Sequence, residues 1–302
     1  MYYLAIDVGG TFTKYAVITN ESQILQKDKQ ETAIETVEAL VCSLKKIYSK
    51  VTMDYEISGI ALSMPGVIDS KKGFMYSGGY IECIVNINIV ELLEKQCRVS
   101  VTVENDAKCA AFAELWTGAL SDCKDAIVVV CGTGVGGAVI HNREVIYGNN
   151  LLAGEFSFML VESNQEYGMG YSLAENAGIK ALFRYVSEET EISIEKLNGE
   201  YIFNMANQGN AKMITGIRRY VGYIAVQIHN IRLITNPQRV AIGGGISVQP
   251  LFIKMIREEL TKISESMPYV LPMPEIVACK YFNDANLLGA VYMHMKLNER
   301  NN

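Results

Sequence analysis

Residues 3–19 read YLAIDVGGTFTKYAVIT, and this segment already indicates how the chain is built. The apolar run over residues 3–7 predicts a buried strand, Gly9-Gly10 predicts a turn, and residues 15–18 predict the returning strand of a hairpin. Glycine at the end of a strand lets backbone N–H groups approach an anion closely, because no Cβ stands in the way. The hairpin is therefore a candidate phosphate-binding loop.

The order of strand, glycine turn and strand recurs in the second half of the chain. Residues 126–131 form an apolar run, residues 132–137 read GTGVGG, and residues 138–140 predict a returning strand. A further strand, residues 239–242, runs into Gly243-Gly244-Gly245. Apolar residues at helical spacing lie between these strands, and such alternation predicts an α/β fold. The internal echo predicts two lobes of related construction.

The composition narrows the class of protein. An apolar share of 49% and a charged share of 20% are ordinary for a soluble globular protein. With 27 basic and 33 acidic residues, the net charge is −6, which argues against a nucleic-acid or membrane partner. The seven cysteines include no C-x-x-C pair, which favours reduced thiols. Because the sequence has no signal-peptide pattern and no apolar run of ~18 residues, we expect a cytoplasmic protein.

The length of the chain predicts two lobes with a central cleft, because single cores rarely grow beyond ~250–300 residues. We place a small N-terminal α/β lobe at residues 1–118, joined by a C-terminal helix over residues 284–302. The larger lobe, residues 119–283, carries the later glycine loops. No segment rich in proline or serine separates the two, so we expect closely joined lobes.

The three glycine clusters have more than one interpretation. Tight turns also need glycine, so any single cluster is explained equally well without a ligand; three clusters of one kind indicate nucleotide binding. The chain contains no G-x-x-x-x-G-K-[ST] P-loop. Gly132, Gly134 and Gly137 match the dinucleotide fingerprint, with Glu155 downstream as a ribose ligand, so an NAD-binding enzyme is an alternative. That fingerprint should open a helix, whereas this loop leads into a strand pattern.

Two aspartates occupy positions that suit catalysis. Asp7 ends a strand against a glycine turn, where it either stabilises the turn or binds the Mg²⁺ of ATP, directly or through water. Asp106 lies where a strand ends and a helix begins. It is either a plain N-cap or a general base that accepts the proton of an attacking hydroxyl, and the two roles are compatible.

Six motifs occur in an order that resembles the ROK family (repressor, open reading frame, kinase) of bacterial sugar kinases. They are Asp7-x-Gly9-Gly10-Thr11-x-x-Lys14, Pro65-Gly66, Glu104-Asn105-Asp106-Ala107, Gly132-Thr133-Gly134-Val135-Gly136-Gly137, Gly154-Glu155 and Ile242-Gly243-Gly244-Gly245-Ile246-Ser247. The resemblance covers nearly the whole chain. It implies the actin-like, hexokinase-type ATPase fold, with two α/β lobes built on ribonuclease-H-like sheets around a central cleft.

The resemblance also implies roles for individual residues. Asp106 becomes the catalytic base. ATP and its phosphates would be bound by Asp7, Gly9, Gly10, Thr11, Lys14, Gly132, Thr133, Gly134, Gly136 and Gly137, with Gly243, Gly244 and Gly245 against the adenosine. The sugar would be bound by Gly66, Asn105, Asp106 and Glu155.

The chain departs from the family pattern around the sugar. Many members have a zinc site of one His and three Cys, and the His belongs to a G-E-x-x-H motif. That His position is Phe158 here, and the cysteine-rich stretch would fall near Glu166 to Ser172, where there is no cysteine. We therefore expect no zinc. Phe158 would offer an apolar face to the sugar, and Glu175 is a candidate for a further acidic sugar ligand. The segment 76–80 departs too.

The resulting prediction is a cytoplasmic kinase that uses ATP and Mg²⁺ to phosphorylate a hydroxyl of a hexose or hexose derivative. The acceptor would be a β-glucoside, N-acetylmannosamine or a glucose-like sugar, and the protein a homodimer or higher homo-oligomer. A non-catalytic sugar or ATP sensor of the same fold is an alternative. A transcriptional repressor is disfavoured because the first phosphate loop starts at Asp7, which leaves no room for a helix-turn-helix.

Overall fold

A computed structural model describes residues 1–162 and 168–301. The strands are β1 (Tyr2–Val8), β2 (Phe12–Thr19), β3 (Ile24–Glu31), β4 (Ile57–Met64), β5 (Ile68–Asp69), β6 (Phe74–Met75), β7 (Ile87–Asn88), β8 (Val101–Asn105), β9 (Ala126–Cys131), β10 (Val135–His141), β11 (Glu144–Val145), β12 (Arg239–Gly243) and β13 (Glu275–Ala278). The helices are α1 (Val37–Val51), α2 (Ile89–Cys97), α3 (Asp106–Thr117), α4 (Leu173–Ala177), α5 (Ile179–Thr190), α6 (Gly199–Asn207), α7 (Ala211–Thr235), α8 (Pro250–Glu265) and α9 (Ala285–Asn301).

The chain forms two compact units. Unit 1 comprises Met1–Ser121, Tyr147–Leu152 and Asn283–Asn302, and unit 2 comprises Asp122–Ile146 and Ala153–Phe282. Residues 147–152 belong to unit 1 although the segments before and after them belong to unit 2. No sequence pattern predicted this.

Unit 1 is built on a sheet with strand order β3-β2-β1-β4-β8. The predicted hairpin is confirmed: β1 pairs antiparallel with β2, and on its other side β1 runs parallel to β4. Apolar residues of β1, β4, α1 and α2 share one core. Helix α9 packs against β1, β4 and α3, and its Gly289 is required there because a Cβ would overlap the carbonyl oxygen of Cys109. A small sheet of β5, β6 and β7, which the sequence did not indicate, lies in the same unit.

Unit 2 repeats the arrangement with a sheet of order β11-β10-β9-β12-β13. Strand β9 is antiparallel to β10 and parallel to β12, as β1 is to β2 and β4. Its apolar core joins these strands to the long helix α7 and to α8. In the described part of the chain, no helix, α7 included, combines the length and apolarity needed to cross a bilayer.

Leu173, Ala177, Ala181 and Leu182 lie at helical spacing in the sequence and predict one continuous helix. This prediction is wrong, because the structure has two helices here. Helix α4 ends at Ala177 and α5 begins at Ile179, with Gly178 between them. A Cβ at Gly178 would overlap the carbonyl oxygen of Thr133, and the Ile179 N–H donates to the Gly132 carbonyl at 2.8 Å. The break therefore lets the start of α5 contact the loop between β9 and β10.

A buried histidine should make the stability of unit 1 depend on pH. His294 in α9 is 1% exposed. Asn298 Nδ2 donates to His294 Nε2 at 3.0 Å, so this ring nitrogen carries no proton. The proton is therefore on Nδ1 of His294, which donates to Thr102 Oγ1 at 3.0 Å. Burial lowers the pKa of His294 from 6.5 to about 4. The unfolded chain therefore binds a proton at a higher pH than the folded chain, and stability falls as the pH drops through this window.

We expect the free energy of unfolding to fall by about 2–3 kcal/mol between pH 7 and 4.5 through this group, since one pKa unit corresponds to ~1.4 kcal/mol. Urea midpoints at the two pH values, compared between wild type and His294→Gln, measure the contribution. If His294→Gln kept the wild-type pH dependence, the assignment would be wrong.

Candidate functional site

The predicted Mg²⁺ ligand, Asp7, lies at the end of β1 and is nearly buried, with 8% of its surface exposed. Ser63 Oγ donates to Asp7 Oδ1 at 2.8 Å, and Asn286 Nδ2 donates to the same oxygen at 3.0 Å. Ser63 is the register partner of Asp7 on β4, and Asn286 lies in the first turn of α9. These bonds orient a carboxylate, and carboxylate oxygens are the ligands that Mg²⁺ prefers. The carboxylate oxygens of Asp7 therefore fit Mg²⁺, and the role of Asp7 as a ligand of that ion stays a prediction.

The first glycine loop connects β1 to β2. The Gly9 N–H donates to the Phe12 carbonyl at 3.1 Å, which closes the turn. A Cβ at Gly10 would lie 2.8 Å from Cε2 of Tyr80, so only glycine allows that ring so close. Thr11 is exposed, and Lys14 pairs with Asp7 in the hairpin register. The loop thus offers backbone N–H groups beside a carboxylate.

The predicted base, Asp106, is the first residue of α3. The sequence left open whether Asp106 caps this helix; the cap is Asn105, whose Oδ1 accepts from the N–H groups of Ala107 and Lys108. Asp106 Oδ1 accepts from the Ala107 N–H at 2.8 Å. Because Asn105 caps the helix, the charge of Asp106 is not needed for the cap.

Asn105, the residue before the predicted base, also forms a hydrogen bond with Gly66. Its Nδ2 donates to the Gly66 carbonyl at 3.0 Å, and the second N–H of that amide is the group that could reach a sugar hydroxyl. Gly66 has a φ of +107°, and a Cβ there would overlap the Ser77 carbonyl. Glycine is therefore needed for the 77–80 segment to approach the strand that carries the base.

A buried acid behind the base was missed by the sequence analysis. Glu104 is fully buried; its Oε1 accepts from the Asn105 N–H at 2.7 Å, and its Oε2 accepts from the Tyr147 hydroxyl. Burial raises the pKa of Glu104, while these hydrogen bonds and the Lys108 ammonium act in the opposite direction. A charged residue in the apolar run Val101-Thr102-Val103 was the signal that could have found it, because a buried charge requires partners.

The second glycine loop, between β9 and β10, lies in unit 2. The Gly132 N–H donates to the Gly134 carbonyl at 3.0 Å, and Thr133 is exposed. Gly136 and Gly137 instead lie within β10, where Gly137 packs against the ring of Phe156. The loop proper is therefore residues 132–134. Since a strand and not a helix follows, the structural context of the dinucleotide fingerprint is missing.

The third glycine cluster borders a cavity in unit 2. The cavity measures about 590 Å³ and is lined by Gly132, Gly245 and residues from α5 and α6, including Phe183 and Asn204. Gly243 ends β12, and Gly244, with a φ of +94°, has no space for a Cβ beside the Cys131 carbonyl. A cavity of this size lies within the range of small-molecule sites, and its lining is partly apolar and partly polar.

The remaining predicted sugar ligands lie in unit 2. Glu155 is half-buried and directly precedes a 3-10 helix, Phe156–Phe158, which leaves Phe158 60% exposed. Glu175 lies in the first turn of α4 and forms an ion pair with Arg184 at 3.0 Å. In the stretch predicted to lack zinc ligands, Glu166 and Tyr167 lie outside the described residues. The roles of Glu155, Phe158 and Glu175 stay predictions.

Comparison with known proteins agrees with these features. The sequence model of the ROK family matches residues 3–296. A curated relative, the beta-glucoside kinase of Listeria monocytogenes serovar 1/2a, is 31% identical over 301 residues, which cover 99% of both chains.

Two solved structures were also found. A ROK family protein from Streptococcus pneumoniae TIGR4 in complex with sucrose is 30% identical, with a TM-score of 0.88 over 99% of this chain and 100% of the other. A ROK family glucokinase from Streptomyces griseus in complex with glucose and AMPPNP is 22% identical, with a TM-score of 0.84 over 97% and 99%. At that identity the similarity supports the fold, and the predicted α/β actin-like ATPase fold is confirmed.

Proposed function

This chain belongs to the ROK family, and on that premise we propose that it is an ATP-dependent kinase whose acceptor sugar is a β-glucoside. Its class, a carbohydrate kinase, follows from the sugar kinases to which it is similar over its whole length. The observation that carries the proposal is the oriented carboxylate of Asp106 at the start of α3, in the same unit as the first glycine loop and Asp7.

The proposed mechanism assigns the proton to Asp106. Its carboxylate accepts the proton of the acceptor hydroxyl as the oxygen attacks the γ-phosphorus, and ADP leaves. The backbone N–H groups of each hairpin loop would bind phosphate oxygens, and Asp7 would hold Mg²⁺, whose charge would offset that of the phosphates. Glu104 and Asn105 keep the end of β8 in place, so that Asp106 meets the hydroxyl in one orientation.

Two observations support a β-glucoside as the acceptor sugar. The beta-glucoside kinase of Listeria is similar to this chain from end to end. In addition, Phe158 is 60% exposed and lies three residues after Glu155, at the position where the family motif has a histidine. An aromatic face is suited to the apolar aglycone or second ring of a glycoside, because burying apolar surface is favourable.

A coupled ADP-release assay with Mg-ATP tests the proposal. We expect kcat/KM for cellobiose to exceed that for glucose and for N-acetylmannosamine by about 10-fold, the scale of an added apolar contact. A preference for free glucose would overturn the β-glucoside assignment. ATP or sugar binding without turnover on any sugar would favour the sensor alternative instead.

The proposal also covers the metal ion, the cellular location and the oligomeric state. We expect Mg²⁺ to be required and zinc to have no effect, because the sequence lacks the cysteines of the family's zinc site. A cytoplasmic location agrees with the use of ATP. The proposal includes a homodimer or higher homo-oligomer, which size-exclusion chromatography with light scattering would detect.

A further inference from the structure

Tyr80 is a residue near the reacting groups for which neither the motifs nor the comparisons give a role. It ends the segment Tyr76-Ser77-Gly78-Gly79-Tyr80, which departs from the family pattern. The ring lies over Gly10 of the first glycine loop: a Cβ at Gly10 would be 2.8 Å from Cε2 and 3.1 Å from Cδ2. Tyr80 is nevertheless 56% exposed, so a ligand can reach it.

The backbone is arranged to bring Tyr80 to this place. Ser77 Oγ accepts from the Val67 N–H at 3.1 Å, and the Ser77 carbonyl lies so close to Gly66 that no Cβ fits. Gly79 has a φ of +59° and packs on Pro65. Left-handed backbone at Gly66 and Gly79 favours glycine, so both residues support one path of the chain. This path of the chain places the phenol of Tyr80 beside the first glycine loop.

Burial of the phenol, together with nearby negative charge, keeps it protonated. Burial raises the pKa of Tyr80 to about 12; the negative charges of Asp106 and Asp7 act in the same direction, and the Gly10 N–H opposes them. The charges of the predicted base and of the predicted magnesium ligand therefore both act on the phenol. A neutral phenol has a proton to donate, whereas a phenolate would be repelled by the negative charges of Asp106 and Asp7.

We propose that Tyr80 is a further catalytic residue, which donates a hydrogen bond to an oxygen of the phosphoryl group during transfer. This inference rests on the proposed function. In the step, the acceptor oxygen bonds to the γ-phosphorus, the bond to the ADP oxygen breaks, and Asp106 takes the acceptor proton. Tyr80 keeps its own proton. The ring lies on Gly10 of the predicted phosphate loop, and a donor held at that loop stabilises charge that develops on the phosphoryl oxygens.

The decisive variant is Tyr80→Phe, which keeps the ring on Gly10 and removes only the hydroxyl. We expect kcat to fall about 10-fold or more, because a donor to developing charge acts mainly in the transition state. KM for ATP and for the sugar should change by less than about 3-fold. A large fall in kcat with little change in KM is a result that a purely structural role of Tyr80 would not produce. The melting temperature should stay at the wild-type value, since the hydroxyl is removed from a half-exposed ring.

Tyr76→Phe is the matched control. Tyr76 belongs to the same segment, is 45% exposed, and packs edge-on against Phe74 and away from Gly10. Its variant should keep the wild-type kcat. An active wild type whose Tyr80→Phe variant retains kcat within about twofold overturns this inference alone. A wild type without sugar-dependent ADP release overturns the proposed function, and the role of Tyr80 with it.

Discussion

Asp106→Asn is expected to lower kcat by ~10²–10⁴-fold, the range that a positioned general base contributes. The amide cannot accept the proton of the acceptor hydroxyl at neutral pH, although it has nearly the same shape as the carboxylate. The helix should persist, because Asn105 supplies the N-cap through the N–H groups of Ala107 and Lys108. The measurement is kcat in the coupled assay, with ATP affinity determined separately by calorimetry.

The control for this experiment is Glu38→Gln. Glu38 is also an acidic residue in the first turn of a helix of unit 1, α1, and it is exposed. Its variant should keep the wild-type kcat, while both variants should bind ATP as the wild type does. If Asp106→Asn kept kcat within ~3-fold, Asp106 would not be the base. If it lost ATP binding and melted early, the loss would be structural.

The second large effect is expected from Gly244→Ala. Gly244 has a φ of +94°, and a Cβ would overlap the Cys131 carbonyl. The loop has little freedom to move, because the Ser247 N–H and hydroxyl both donate to the Gly244 carbonyl, at 3.0 and 2.7 Å. We expect about 3 kcal/mol of destabilisation or more, combining strain with a displaced backbone, and a melting temperature lower by roughly 5–10 °C.

The same variant should weaken ATP binding, because the loop borders the cavity assigned to adenosine. We expect KM for ATP to rise by about 10-fold or more, measured below the new melting temperature. Gly245→Ala is the control for stability: a Cβ there meets no heavy atom within 4 Å. Equal melting temperatures for the two variants would show that the close approach at Gly244 is not maintained in solution.

Much of the candidate site could be predicted because its residues are neighbours in sequence. The first hairpin, the second hairpin and the strand-to-helix junction at Asp106 each depend on a few consecutive residues, and the structure has all three where the pattern indicated. Where a prediction was wrong, as in the single helix across Gly178, a residue distant in sequence was responsible. Thr133 approaches Gly178 so closely that the helix divides there.

The sequence by itself determined the fold class, the family and the positions of the glycine loops and of Asp106. Local backbone preferences and short-range polar spacing encode such features directly. Only the tertiary structure decided which groups surround them: Asn286 on Asp7, Tyr147 on Glu104 and Tyr80 on Gly10. These partners are 279, 43 and about 70 positions apart along the chain. Such contacts arise when whole elements pack together, and no periodicity within a single element specifies them.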